Sequence, residues 1–119
     1  MIINGRGVES TSGDTFDVID PAKLQIICKV PSANAEDVEI ATKGAFECFR
    51  DKWSKCEAPD RGKLLWRLAD TIESSGEQLA QLDSINGGRA ISDCRADIAA
   101  ASSIIRYFAG LADKSRGHT

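Results

Sequence analysis

The chain has 119 residues, of which 42% are hydrophobic and 28% charged, and its formal net charge is -3. This length suits one ordinary domain and leaves little room for two. Because basic residues are scattered among acidic ones, the charge pattern predicts binding neither to nucleic acid nor to a membrane surface. No apolar stretch approaches the roughly 18 residues that a membrane span needs, and the N-terminus lacks the features of a secretory signal. We therefore predict a cytoplasmic protein.

The cysteines do not form a recognisable metal or redox motif. Four are present, Cys28, Cys48, Cys56 and Cys94, and none belongs to a CxxC pair. Zinc sites need closely spaced Cys or His ligands, and the sole histidine, His118, lies at the far C-terminus. A single terminal histidine also makes a Cys–His catalytic pair a poor prediction. Without a secretion signal we expect no disulfide framework. We predict reduced thiols that pack as small apolar side chains.

The first third of the chain has the pattern of two β-hairpins. Asn4-Gly5 separates two short apolar runs in "IINGRGV", and this dipeptide is a common signal of a two-residue hairpin turn. After a "TSGD" loop, apolar and polar residues alternate in "TFDVID". A turn around Pro21 then leads to a second strand, Leu24 to Val30, which ends before Pro31. We assign residues 1–33 to these hairpins.

Residues 34–119 have a helical period and predict about four helices. The first begins at the N-cap Asn34, with an apolar stripe through Val38, Ala41, Ala45 and Phe49. The second begins at Pro59 and is interrupted by "SSG"; the third covers Glu77 to Ile85, and the fourth runs from about Ser92 to Lys114. Gly117 is the predicted C-cap. The second helix has its stripe at Leu64, Leu65, Leu68, Ala69 and Ile72, and the fourth at Cys94, Ile98, Ala101, Ile105, Phe108 and Ala112. The fold class predicted for this single segment is α+β.

The glycine pair in "INGGRA", Ile85 to Ala90, raises the question of a phosphate-binding loop. Such loops follow a strand and open a helix, whereas these glycines follow a predicted helix. The spacing fits neither GxGxxG nor GxxxxGK[ST]. We therefore predict a turn that ends the third helix, with Asn86 or Gly87 in the left-handed conformation.

From end to end, the sequence resembles the N-terminal part of the NAD(P)-dependent aldehyde dehydrogenase superfamily. The resemblance runs through "INGRGVESTSGDTFDVIDPA", "VPSANAEDVEIATKGAFECFRDKW", "RGKLLWRLADTIES", "LAQLDSINGGRAISDCRADI" and "RYFAGLADKSRGHT". Each piece is common by itself, and the order and spacing of the pieces carry the resemblance. It implies that these hairpins and helices lead into a Rossmann-type α/β cofactor domain, whose strands come later in the chain.

The resemblance also implies which parts of the chemistry are missing. In this family a cysteine thiolate attacks an aldehyde, a hydride passes to NAD or NADP, and the thioester is hydrolysed to a carboxylic acid. The family's nucleophile, general base, oxyanion-stabilising asparagine and nucleotide-binding segments all correspond to positions beyond Thr119. The resemblance therefore predicts no catalytic residue and no bound nucleotide for these 119 residues by themselves.

One ligand set is carried over by the resemblance. In several family members an aspartate and main-chain carbonyls bind a structural monovalent cation. The corresponding positions here are Asn86 for the aspartate and Val18 and Ile19 for the carbonyls. These oxygen ligands suit K+ or Na+. Because an amide oxygen carries no charge, we expect weaker binding than an aspartate would give, and a plain capping turn at Asn86 is the alternative.

Two functions remain open from the sequence. In the first, the chain is the N-terminal piece of an aldehyde dehydrogenase, inactive by itself, and arises as a truncated gene, a cloned fragment or part of a split subunit. Its partners are then the missing C-terminal part of the subunit or further copies in a homo-oligomer. In the second, it is a non-catalytic helical module that self-associates or binds another protein through an exposed helix face.

Overall fold

The computed structural model describes residues 1–114; the predicted C-cap Gly117 and the histidine His118 lie outside the described residues. Two antiparallel hairpins precede four α-helices, which confirms the predicted α+β class. The chain separates into two compact units, Met1–Lys55 and Cys56 onward. The elements are β1 (Ile2–Ile3), β2 (Arg6–Gly7), β3 (Thr15–Asp20), β4 (Gln25–Pro31), α1 (Ala35–Asp51), a short 3-10 helix (Trp53–Lys55), α2 (Ala58–Ser74), α3 (Gly76–Gly87) and α4 (Ile91–Leu111).

The first hairpin turns at the predicted dipeptide. Asn4 and Gly5 both have positive φ angles, 53° and 75°. Two consecutive left-handed residues define the turn type that matches the twist of the flanking strands, and Asn-Gly is its preferred sequence. Ile2 therefore pairs with Gly7 in register.

The second hairpin turns one residue later than the sequence pattern predicted. Leu24 belongs to the turn, with a φ of 56°, and β4 begins at Gln25. The reason lies in the Asp20 side chain, whose Oδ1 accepts hydrogen bonds from the amides of Ala22 at 2.8 Å and Lys23 at 3.2 Å. This local bonding extends the turn, a common role of aspartate before proline.

Helix α1 begins at the predicted N-cap but packs through a different face. Within the first unit, Asp37 is buried and Gly44 lies directly against the Asn4 side chain. The predicted stripe fails because two of its members, Val38 and Phe49, are 57% and 55% exposed. The small residue at position 44 allows the approach to β1, and helical period alone gives no sign of it.

In the second unit, α2 and α4 pack against each other through small residues. Ala69 on α2 and Ala109 on α4 are buried. At Gly62 a Cβ atom would stand 3.0 Å from the carbonyl oxygen of Ala109. Because the start of α2 thus meets the end of α4, the two helices run antiparallel. Only part of the predicted apolar stripe of α2 is buried: Leu65 is partly buried, whereas Leu64 is 46% exposed.

The remaining helix, α3, is longer at both ends than the sequence pattern predicted. Only Ser75 separates it from α2, and it runs from Gly76 to Gly87. It packs along α4, with Ala80 of α3 and Cys94 of α4 both fully buried. Among the described residues, the buried apolar side chains are all small: Ala69, Ala80, Cys94 and Ala109.

Candidate functional site

Val18 and Ile19, whose carbonyls the resemblance implicates in cation binding, lie side by side in β3. The β3–β4 ladder is irregular between them, since Val18 pairs with Cys28 and Ile19 with Ile26. Ile27 is thus the additional residue of a β-bulge. A bulge disturbs the regular alternation of ladder hydrogen bonds. The main chain therefore departs from regular pairing at the two residues in question.

Asn86 lies exposed in the last turn of α3, within the second unit. The helix ends at Gly88, which has a φ of 66° and donates its amide to the carbonyl of Ser84 at 2.9 Å. The left-handed residue is thus Gly88, and the prediction that Asn86 or Gly87 takes this conformation was wrong. The helix continues through Asn86 and Gly87 because the next glycine supplies the left-handed cap.

The "INGGRA" segment ends α3, as predicted, but only residues 88–90 form the turn to α4. The arginine of this turn is already paired. The Arg89 guanidinium donates to Asp97 at 2.5 Å and approaches Asp83 at 3.3 Å. The Asp97 carboxylate raises the pKa of Arg89 above its ordinary value. The Ser84 hydroxyl donates to the Arg89 carbonyl at 2.7 Å, which further closes the turn. A phosphate arriving here would have to compete with two carboxylates for this side chain.

The predicted cation ligands divide between the two units, with Val18 and Ile19 in the first and Asn86 in the second. Their grouping into one site therefore stays a prediction. Within residues 1–114, no three His, Cys, Asp or Glu side chains are grouped so that they could hold a metal ion.

The four cysteines have different surroundings, and only part of the packing prediction holds. Cys94 is fully buried between α3 and α4, as predicted, whereas Cys28 and Cys48 are exposed and Cys56 is intermediate. Burial raises the pKa of the Cys94 thiol, and a hydrogen bond with Asp83 raises it further. A thiol is nucleophilic as its thiolate, so Cys94 is poorly suited to nucleophilic attack.

Asp37 is a buried carboxylate whose role the sequence reading missed. It is 2% exposed and accepts hydrogen bonds from the Ser10 hydroxyl at 2.8 Å and the Thr11 amide at 3.0 Å. It also completes a capping box with Asn34, whose amide donates to it at 3.0 Å. That bond lowers the pKa of Asp37, with Ser10 and Thr11 adding to the effect. The Asn-x-x-Asp spacing was the signal that could have shown this role.

A charged cluster marks one side of the α2–α4 pair. Arg106 of α4 donates to Asp70 at 2.9 Å and to Glu73, both on α2, and its guanidinium lies 5.8 Å from the centre of the Trp66 ring. The two carboxylates raise the pKa of Arg106. We call this side, defined by Trp66, Asp70, Glu73 and Arg106, the charged face. Its ionic groups satisfy each other across the two helices.

A second ion pair joins α3 to α4. Arg95 donates to Glu77 through two nitrogens, each at 2.8 Å, and Gln81 donates at 2.9 Å. The Arg95 guanidinium holds the pKa of Glu77 down to about 2. Both side chains are about half exposed, so solvent screening leaves the pair a small contribution to stability.

The opposite side of the α2–α4 pair is apolar and exposed. Residues two positions apart on a helix lie about 200° apart around its axis. Leu68 therefore lies opposite Asp70 on α2, and Phe108 lies opposite Arg106 on α4. These two side chains are 47% and 57% exposed. We call this surface the apolar face; its members are Leu64 and Leu68 on α2 and Ile104, Phe108 and Leu111 on α4.

None of the helices in the described part of the chain has the length and apolar content to cross a membrane. The described residues combine helix packing through small residues, paired surface charges and exposed large apolar side chains. The sequence pattern of the aldehyde dehydrogenase family matches residues 8–119. The chain belongs to this family and corresponds to an N-terminal portion of it.

Similar proteins show the extent of the match. The chain is 38% identical over 118 residues to an aldehyde dehydrogenase of Alternaria alternata and 41% identical over 122 residues to cytosolic aldehyde dehydrogenase 1 of Elephantulus edwardii. These matches cover 98% and 100% of this chain but 24% of each relative. The crystal structure of PnpE in complex with nicotinamide adenine dinucleotide is similar with a TM-score of 0.92 and 42% identity, over 98% of this chain and 24% of that one. The chain thus spans about a quarter of the length of the relatives it matches.

Proposed function

We propose that this chain is the N-terminal scaffold of an NAD-dependent aldehyde dehydrogenase subunit that oxidises an aldehyde to a carboxylic acid. The observation that carries the proposal is the match of 98% of the chain, at a TM-score of 0.92, to a quarter of PnpE in its complex with nicotinamide adenine dinucleotide. The choice of NAD over NADP follows that complex. By the same proposal, residues 1–119 act as one segment of the subunit in the cytoplasm, where a named relative also acts.

The described residues support a scaffold role and not a chemical one. Cys94, the buried thiol, has a raised pKa, which makes this cysteine a poor nucleophile. Arg89 is paired with Asp83 and Asp97, which argues against its use on a nucleotide phosphate. We therefore propose that the nucleophile and the nucleotide-binding segments lie in the part of the subunit outside this chain.

The experiment is a graft, in which this chain replaces the matched quarter of PnpE in one polypeptide. The expected result is folded protein that forms NADH in the presence of an aldehyde that intact PnpE is first shown to oxidise. The matched control carries an unrelated α+β segment of the same length in place of this chain. A graft that folds and binds NAD but shows no aldehyde-dependent NADH formation would contradict the proposal.

We further propose that the carbonyls of Val18 and Ile19 and the amide oxygen of Asn86 bind K+ or Na+ in the assembled subunit. The irregular ladder between Val18 and Ile19 supports this proposal, because a bulge disturbs regular pairing of main-chain groups. The exposed position of Asn86 in the last turn of α3 supports it as well, since its side-chain amide oxygen is accessible to a cation.

The Asn86→Asp variant of the graft tests the cation proposal. A carboxylate adds charge to the site, so KCl should raise the melting temperature more in Asn86→Asp than in the unsubstituted graft, and least in Asn86→Ala. Choline chloride at equal ionic strength serves as the control for general salt effects. Equal responses of all three proteins to KCl would rule out Asn86 as a ligand.

The last part of the proposal concerns partners. We propose that the rest of the subunit is the first partner of this chain and that complete subunits form a homo-oligomer. The exposed large apolar side chains in both units support a need for further contacts. Light scattering coupled to size-exclusion chromatography of the graft measures the oligomer, and a graft that is active as a monomer would contradict this part.

A further inference from the structure

We infer that Asn4 is a site of spontaneous deamidation and that helix α3 protects Asn86, which stands in the same tripeptide, from this reaction. The sequence Ile-Asn-Gly occurs twice, at residues 3–5 and at residues 85–87. A glycine after asparagine favours deamidation, because it has no side chain to hinder the attacking main-chain nitrogen. Since the two tripeptides are identical, the structure around each asparagine decides which one reacts. This inference does not rest on the proposed function.

Deamidation needs water as its only co-reactant. The main-chain nitrogen of the glycine attacks the asparagine Cγ, a bond forms between them, and the bond from Cγ to Nδ2 breaks as Nδ2 leaves with the glycine proton as ammonia. The resulting succinimide ring takes up one water molecule at either carbonyl. One opening gives aspartate, and the other gives isoaspartate, in which the main chain runs through the former side chain. The attack therefore requires a glycine amide without a hydrogen bond and an asparagine that can rotate about its Cα–C bond.

The hairpin turn at Asn4 meets both requirements. Asn4 and Gly5 are exposed and form the two-residue turn between β1 and β2. Within the described residues, the Gly5 amide has no hydrogen-bond partner, and the Asn4 side chain packs over Gly44 without a hydrogen bond. Rotation of Asn4 out of its left-handed conformation separates only the two residue pairs of this hairpin. Such a short hairpin opens at low cost, so the attacking nitrogen can reach Cγ.

The helix end at Asn86 meets neither requirement, although Asn86 is exposed. Asn86 and Gly87 belong to the last turn of α3. Because each amide of an α-helix donates to the carbonyl four residues earlier, the Gly87 nitrogen is committed to Asp83. Gly88 closes this turn, since it is left-handed and its amide donates to the Ser84 carbonyl at 2.9 Å. Rotation at Asn86 would therefore unwind the end of α3 and break its cap.

Peptide mapping of the graft by mass spectrometry tests the inference, whether or not the graft is active. The graft is incubated in mildly alkaline buffer, and the conversion of each asparagine to aspartate and isoaspartate is followed over time. In urea the two asparagines should react at nearly equal rates, because their tripeptides are identical. In buffer we expect Asn4 to react at least about fivefold faster than Asn86. Equal rates in buffer, or faster reaction of Asn86, would overturn the inference.

The Gly88→Ala variant of the graft provides the second measurement. Alanine disfavours the φ of 66° at this position, so the end of α3 should open more often. We expect Asn86 to react several-fold faster in this variant and Asn4 to react as before. The matched control is Gly110→Ala, where a Cβ would meet nothing within 4 Å and both rates should stay unchanged. An unchanged rate at Asn86 in Gly88→Ala would show that the capped helix end is not what protects Asn86, and would contradict the inference.

Discussion

Leu24 has a backbone conformation that leucine rarely adopts. Its φ is 56° and its side chain is 81% exposed, so no buried contact offsets the strain. The left-handed conformation costs an L-residue about 1–2 kcal/mol, and glycine avoids most of this cost. We expect Leu24→Gly to stabilise the β3–β4 hairpin by about 1 kcal/mol, a factor of about five in local opening. Hydrogen exchange of β3 and β4 amides in the graft measures this change in local opening.

The control for this substitution is Lys23→Gly in the same turn. Lys23 has no positive φ, so glycine there gains nothing and loses chain entropy on folding. Exchange of the same amides should then become faster. If the two glycine variants slowed exchange equally, relief of strain at Leu24 would be refuted as the cause.

Asp37 links the loop at Ser10 to the start of α1, and its stabilising effect depends on pH. Its pKa is lowered from 3.8, chiefly by the hydrogen bond from the Asn34 amide. A lowered pKa in the folded state means that the stabilisation is fully present above the unfolded value and is lost as pH falls through the folded one. We expect Asp37→Asn to lower the melting temperature by several degrees at neutral pH and by progressively less below pH 3.8.

Thermal melting of the graft, followed by circular dichroism between neutral and acid pH, measures this effect. Glu36→Gln is the matched control, because Glu36 lies in the same first turn of α1 but is exposed. The melting temperature of the Glu36→Gln graft should stay near that of the unsubstituted graft throughout. A difference in melting temperature between Asp37→Asn and the unsubstituted graft that stays constant into acid would show that the carboxylate charge is not the source of the stabilisation.

At the scale of elements, the crossing of α2 and α4 depends on a close approach at Gly62. A Cβ there would stand 3.0 Å from the Ala109 carbonyl oxygen, whereas a Cβ at Gly110 would meet nothing within 4 Å. Alanine raises helix propensity at either position by up to about 1 kcal/mol. At Gly62 the crowding opposes this gain with about 1–3 kcal/mol. We therefore expect Gly62→Ala to be less stable than Gly110→Ala.

Urea unfolding of the graft, followed by helical circular dichroism, gives the difference in stability between these two variants. Because both carry the same substitution in the same pair of helices, effects on the unfolded chain largely cancel. Equal stability of the two proteins would mean that the helices move apart at little cost, and the close approach at Gly62 would then not determine the crossing.

The helices and hairpins also show which features sequence patterns predict and which they do not. The Asn4-Gly5 turn and the N-cap Asn34 were predictable because local chemistry decides them. The packed face of α4 was predictable only in part, since Ile98 and Ile105 are partly buried as expected while Phe108 is exposed. Helix α4 is apolar on two sides, and period alone cannot assign each side to its neighbour.

The candidate cation site could not be predicted from residue types. Main-chain carbonyls at Val18 and Ile19 have no sequence signature, and only the resemblance to a family selected them. The bulge opposite them, with Ile27 as the additional residue, depends on the register of two strands. The ion pairs of Arg89 and Arg106 likewise depend on how helices pack, which single spacings along the chain do not determine.

At the scale of the whole molecule, the described residues leave large apolar side chains exposed in both units. Those of the first unit include Phe16, Ile26 and Phe46, each more than half exposed. Units of about 60 residues bury limited surface even when complete, and the buried apolar side chains here are alanines and a cysteine. We conclude that neither unit reaches ordinary domain stability without further contacts.

This conclusion predicts how the chain behaves when it is produced by itself. Without the rest of a subunit, the exposed surfaces have no specific partner, so association should be polydisperse and should increase with protein concentration. Light scattering after size-exclusion chromatography measures the mass distribution, and the fluorescence of a bound hydrophobic dye measures the exposed apolar surface. Because hydrophobic association weakens on cooling, the average mass should fall at low temperature.

The same measurement separates the two functions that the sequence left open. A scaffold segment produced without the rest of its subunit gives a broad mass distribution and strong dye binding. Both should disappear in the graft. A self-association module gives one defined dimer with little dye binding, because a specific interface would cover the apolar face. Phe108→Lys is the decisive variant for this choice. It should dissociate a specific dimer completely, but it should only narrow a broad distribution, since Phe16, Phe46 and other exposed side chains would still associate.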